Sequence, residues 1–165
     1  MDENMVAAKN TITTLTAPTD REIVFTRIFD APRSLVFKSY IDPNLIPHWW
    51  GPRGLTTTVD SMQVRPGGAW RFVQRGADGN EYAFSGIYHG IVAPDWLAYT
   101  FEFELMPGHD MLETVTYEEL DGKTKVVVTA RFDSSKDRDG MLNSGMEKGA
   151  AGSWDRFAEI LQTVA

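Results

Sequence analysis

The sequence predicts an α+β domain: a curved antiparallel sheet of about seven strands wrapped around a long C-terminal helix, with two short helices after the first strand. Three observations carry this. Between residues 56 and 132, apolar side chains fall at every second position between regularly spaced turn signals, as in consecutive antiparallel strands. From about residue 137 to 164 the apolar positions recur instead at three- and four-residue spacing, which is helical. A sheet with one apolar face must also cover it, and that last helix is the only segment long enough to do so.

Residues 1–19 form a polar, Thr-rich arm, either a loose tail or, through the alternation at 11–16, an added edge strand. The ordered domain, 20–165, opens with EIVFTRIF at 22–29, a β-branched and aromatic run that predicts a strand. Asp30-Ala31-Pro32 then starts a helix, because Pro is tolerated in a first turn and an acid there favours the helix dipole. Leu35, Val36 and Tyr40 supply its apolar stripe. Asp42 as cap and Pro43 at the first position open a second short helix ending near His48. Trp49-Trp50-Gly51-Pro52 follows. Neighbouring side chains on a regular strand point to opposite faces, so the tryptophan pair suits a helix end, where one indole enters the interior and the other covers a rim.

In the β-rich region Trp70 and Phe72 share a face after the Pro66-Gly67-Gly68 turn, as do Phe84, Gly86 and Tyr88. Tyr99, Phe101 and Phe103 alternate with Thr100, Glu102 and Glu104. Asp78-Gly79-Asn80, Pro94-Asp95 and Pro107-Gly108 separate the runs, and Asp121-Gly122 signals a hairpin between 115–117 and 126–128. The terminal helix carries Leu142, Met146, Ala150, Ser153, Phe157 and Leu161 on one face. Gly145, Gly149 and Gly152 each cost about 0.8–1.0 kcal/mol relative to Ala within a helix. Close approach of another element, or room for a ligand, would offset that cost.

The 165 residues suit one domain, and such a chain buries roughly 70% of its unfolded surface. The absence of cysteine excludes disulfides, thiolate nucleophiles and Cys-ligated zinc, and it suits a reducing compartment. A net charge of −7 disfavours nucleic acid and anionic membrane as partners. No apolar run approaches the roughly 18 residues that span a bilayer. The N-terminus, with Asp2 and Glu3, lacks a secretory apolar region. A cytoplasmic protein without cofactor is expected.

His48, His89 and His109 show no metal-ligand spacing, so no metal is expected. His48 reads either as a pH-sensitive group at a pocket mouth or as a solvated helix-end residue. Glu102 and Glu104, with Glu113, Glu118 and Glu119 on the next strand, are expected to form a solvated outward face. Arg27, Arg71 and Glu81 are either polar groups near a cavity or members of surface ion pairs. There is no Gly-x-Ser-x-Gly elbow, P-loop or dinucleotide fingerprint, and no catalytic residue is assigned.

Several stretches together resemble the START-like (SRPBCC, Bet v-type helix-grip) superfamily. They are Arg27-Ile28-Phe29-Asp30-Ala31-Pro32-Arg33 with Val36-Phe37, and Asp42-Pro43 running into Trp49-Trp50-Gly51-Pro52. Pro66-Gly67-Gly68-Ala69-Trp70-Arg71-Phe72 comes next, then Gly145-Met146-Glu147-Lys148-Gly149 leading to Trp154-Asp155-Arg156-Phe157. Within the superfamily the chain is most similar, over about residues 20–164, to the family named after the C-terminal domain of the activator of the 90-kDa heat-shock chaperone's ATPase. The resemblance implies a helix-grip fold whose inward face is also a cavity wall.

On that reading the ligand-binding candidates are Trp49, Trp70, Phe72, Phe84, Tyr88 and Phe101 from the sheet side, with Met141, Met146 and Trp154 from the helix. The same aromatics and methionines also serve as plain core. Three functions follow. The first is a binding protein for a small hydrophobic molecule. The second is a co-chaperone-like module meeting a protein or chaperone through its acidic face and arm. The third is a cyclase- or hydrolase-like enzyme using Tyr88, His48 or Arg71. A homodimer through an edge strand or the arm is compatible with each.

Overall fold

The computed structural model describes residues 12–164. A short strand β1 (Thr14–Thr16) precedes β2 (Glu22–Phe29), and the helices α1 (Arg33–Tyr40) and α2 (Ile46–Trp49) follow. Six strands then run in succession: β3 (Thr56–Met62), β4 (Ala69–Arg75), β5 (Glu81–Val92), β6 (Trp96–Phe103), β7 (Met111–Leu120) and β8 (Lys123–Phe132). The chain ends in α3 (Ser135–Leu142) and α4 (Met146–Val164). The arm expected at 1–19 falls partly outside the described residues. Within them, β1 pairs antiparallel with β2 at the sheet edge, Leu15 facing Phe25.

All eight strands form one antiparallel sheet in the order β1-β2-β8-β7-β6-β5-β4-β3. After β2 the chain crosses to the far edge by way of α1 and α2. It then returns hairpin by hairpin until β8 pairs with β2, placing Phe25 opposite Val128 and Ile23 opposite Ala130. Two register shifts, between Val59 and Ser61 in β3 and between Tyr88 and Gly90 in β5, interrupt the ladder. Such bulges bend a strand and increase its twist, which helps this sheet curl around its helix.

The helices depart from expectation in three ways. Pro32 is extended and sits at the N-cap of α1 instead of inside its first turn, and the buried face is Val36, Phe37 and Ser39. Residues 42–45 form a turn in which the Asp42 carbonyl accepts from the Leu45 and Ile46 N–H groups, so α2 begins only at Ile46. The single terminal helix is two. Gly145 adopts a left-handed φ of +83°, which an L side chain resists, and it separates α3 from α4. Ser134 caps α3 by accepting the Asp137 N–H at 3.1 Å.

The core lies between the inner sheet face and the C-terminal two-thirds of α4. Trp154, Phe157 and Leu161 are the buried residues of that helix. Phe157 is fully buried and meets Phe29 edge-on at 5.2 Å; Trp154 meets Phe29 edge-on at 5.6 Å. Burying one side chain of this size contributes roughly 1.5–3 kcal/mol, and an aromatic pair adds about 0.5–1.5 kcal/mol.

Candidate functional site

The double tryptophan closes one end of the interior. Trp49 is the last residue of α2, and Trp50 turns into extended backbone (φ −71°, ψ 122°), so the two indoles diverge from one helix end. Trp49 is buried against Phe157 at 4.6 Å and Tyr40 at 4.9 Å. Trp50, half-buried, lies edge-on to Phe72 at 5.1 Å and Phe84 at 5.2 Å. Both indoles are therefore walls of the interior.

Polar bonds clamp this turn onto α4 and the sheet. The Ser153 hydroxyl donates to the Trp49 carbonyl at 3.0 Å and accepts the Gly51 N–H at 3.1 Å. Arg156 donates to the Gly51 carbonyl at 3.0 Å, and Thr57 donates to the Trp50 carbonyl at 2.7 Å. Gly51 has a φ of +94°, and a Cβ there would stand 1.8 Å from the Gln74 amide nitrogen. A second close approach occurs at Gly86. A Cβ there would collide with the Thr100 carbonyl that the Trp70 indole N–H reaches at 3.2 Å.

Between these walls lies a narrow cavity of about 30 Å³, lined in part by Tyr40, Trp49, Trp50 and Met62. Of the expected ligand residues, Trp49, Trp70, Phe72, Tyr88 and Phe101 line it. Phe84 stands behind Trp50. Trp154 is turned toward Phe25 and Phe29 on β2, and Met141 and Met146 flank the break between α3 and α4, packed on the edge of the core. These four are not brought to the cavity. A single water needs roughly 10–15 Å³, so the space has room for about two or three waters. Gly149 and Gly152 face open space: nothing lies within 4 Å of a Cβ added to either. Room, not close approach, accompanies these helical glycines.

One row across the inner sheet face holds the chemistry. Tyr88 stands opposite Tyr99, Tyr99 opposite Glu113, and Glu113 opposite Ala130. Glu113 thus faces inward and does not join the outward acidic face expected for it. Met111, Glu113, Val115 and Tyr117 have the same parity on β7, and three of the four are buried. The Tyr99 hydroxyl donates to Glu113 Oε2 at 2.5 Å. Burial pushes the Glu113 carboxyl up to about 7, and the bond from Tyr99 opposes this only in part. The same burial raises the hydroxyls of Tyr40, Tyr88, Tyr99 and Tyr117, with the Glu113 charge adding at Tyr40 and Tyr99. Two buried polar atoms in this region have no partner: the Trp49 indole nitrogen and the Tyr117 hydroxyl. Buried polar groups are ordinarily bonded, so each such atom requires an explanation.

The remaining candidates lie elsewhere. Arg71 points outward and is held by Glu104 in a two-pronged pair, with Asp60 at 3.4 Å. This keeps Glu104 below the usual carboxylate range. Glu81 pairs with Arg75 on the surface. Arg27 has the parity of Phe25 and Phe29, is buried, and donates to Asp155 at 2.5 Å. His48 and His89 are exposed, and His109 pairs with Asp137 at 2.9 Å. Among the described residues no helix is long and apolar enough to cross a membrane.

An open antiparallel sheet closed over a C-terminal helix, with two short helices at one end, defines an α+β helix-grip protein. The family profile described as "Activator of Hsp90 ATPase homolog 1-like protein" matches residues 30–162, and the chain belongs to that family. Similar solved structures share the fold. A protein of Rhodobacter sphaeroides superposes with a TM-score of 0.86 at 20% identity, over 92% of this chain and 98% of the other. One from Arthrobacter aurescens gives 0.83 at 24% identity, over 91% of each chain. The AHSA1 protein of Silicibacter pomeroyi gives 0.73 at 21% identity, over 87% and 99%. No curated protein sequence matches the chain.

Proposed function

We propose that this protein binds a small, largely hydrophobic molecule at the cavity between the inner sheet face and the tryptophan turn, without catalysis of its own. The observation that carries the reading is the pair of unpartnered buried groups, the Trp49 N–H and the Tyr117 hydroxyl, in an interior that also holds the inward Glu113 carboxyl. An interior meant only as filler gains nothing from such groups, whereas apolar sites with a few convergent polar atoms are the usual form of small-molecule pockets. The 30 Å³ cavity is far below the roughly 300 Å³ of a typical site, so binding requires the walls to part. Half-buried Trp50 is the wall at which they would do so.

The test is native mass spectrometry of protein purified from its own host, followed by denaturing extraction. A bound mass of small-molecule size that leaves on unfolding supports the reading. Uniformly empty protein, with no thermal stabilisation by apolar probes, overturns it. The family description favours a second reading, a co-chaperone-like contact with the 90-kDa heat-shock chaperone. An unchanged chaperone ATPase rate on adding this protein removes that reading. Residence in the cytoplasm and homodimerisation belong to the same proposal, and fractionation and native mass test them.

A further inference from the structure

We propose that the interior seat is made for an organic cation: a hydrophobic amine whose ammonium meets the Glu113 carboxylate and whose apolar body lies among the surrounding aromatic rings. This rests on the ligand-binding reading above and names the chemistry of its ligand.

Of the two inward charges, Glu113 lacks a counter-ion among the described residues. The other, Arg27, has Asp155. The one side chain bonded to Glu113 is the neutral Tyr99. Charges withdrawn from water are ordinarily paired, because an unpaired one loses hydration without compensation, and half-buried Glu113 carries part of that cost. The groups that face it are uncharged, Tyr99 from β6 and Tyr40 from α1, and Tyr117 lies four residues further along the same face of β7. From β8 the residue opposite is Ala130, which is small and uncharged. From α4 the side chain in reach of Tyr40 is Trp154.

These surroundings suit a cation. The faces of tyrosine and tryptophan rings attract ammonium groups, and aromatic enclosures are a recurrent solution for binding them. The partnerless N–H of Trp49, a residue that lines the cavity, offers a place to one acceptor oxygen on the same ligand. An anionic ligand would meet a like charge. A neutral one would leave the carboxylate unpaired above neutral pH. The net charge of −7 also favours the approach of cations over anions.

The test compares three probes of one shape by titration calorimetry on the full chain at pH 8: 1-naphthylmethylamine, 1-naphthylmethanol and 1-naphthoic acid. The amine is expected to bind at least about tenfold more tightly than the alcohol, and the acid least of all. Glu113→Gln should bring the amine down to the level of the alcohol. At pH 6 the amine should displace up to about one proton per molecule bound, read from the dependence of the heat on the ionisation enthalpy of the buffer. The amine–alcohol comparison needs no variant and stands even if the substitution impairs folding. An alcohol that binds as tightly as the amine, or a host-purified ligand without a basic nitrogen, overturns the cation and leaves the binding reading intact. No bound molecule from the host together with no probe binding overturns both.

Discussion

Glu113→Gln should change how stability depends on pH. A carboxyl whose value rises from the ordinary 4.5 to about 7 on folding is protonated in the folded chain and ionised in the unfolded one between those pH values. The folded state therefore holds the extra proton there, and its stability is greatest at low pH and declines as pH rises toward 7. Each pH unit is worth about 1.4 kcal/mol. Across pH 5 to 8 this one group removes about 2–3 kcal/mol, most of it before pH 7. Gln is the uncharged isostere of the protonated side chain, and its amide oxygen still accepts from Tyr99. The variant should thus lack this decline, with a free-energy advantage over the wild type that widens by about 2–3 kcal/mol from pH 5 to pH 8. Urea unfolding followed by tryptophan fluorescence at pH 5, 6, 7 and 8 measures the difference directly. Parallel stability profiles for the two proteins would refute the inward, unpaired carboxyl.

Further substitutions probe the clamp and the walls. Ser153→Ala removes both bonds to the tryptophan turn and leaves the Trp49 carbonyl unpaired, costing about 1–3 kcal/mol in urea unfolding. Gly51→Ala combines a left-handed φ with a collision against Gln74, and a loss of about 1–3 kcal/mol should appear as a lower midpoint. Trp49→Ala should cost about 3–5 kcal/mol. Trp50→Ala should cost less, because Trp50 is only half-buried, and should speed the uptake of an apolar fluorescent probe in stopped flow.

Much of the fold was legible because each signal was local. The β2 run is bounded by polar residues and reads off to the residue. The meander is legible because period two survives through six strands. The break between α3 and α4 was not, since Leu142 and Met146 are four apart and the helical spacing passes straight across it. Only Gly145 marked the interruption. The site was half legible. Trp70, Phe72, Tyr88 and Phe101 follow from alternation and Trp49 from its place at a helix end, but Glu113 was grouped with its acidic neighbours by charge. Counting parity from Met111 along β7 places it inside. The Ser153 and Arg156 bonds to the tryptophan turn join residues about a hundred positions apart, and nothing in the local sequence announces them.

The order of strands also sets how the chain finds its shape. Strands β3 to β8 join neighbour to neighbour through short turns, so each pairing closes a small loop. β2 reaches β8 only across about a hundred residues, a far larger entropic closure. The meander should assemble early and the β2–β8 seam late, making this a slow folder among domains of its size. Ile23→Val in β2 should then act mainly by accelerating unfolding, whereas Val115→Ala in the β7–β8 hairpin should slow refolding. The seam that completes the sheet is also the first place it opens.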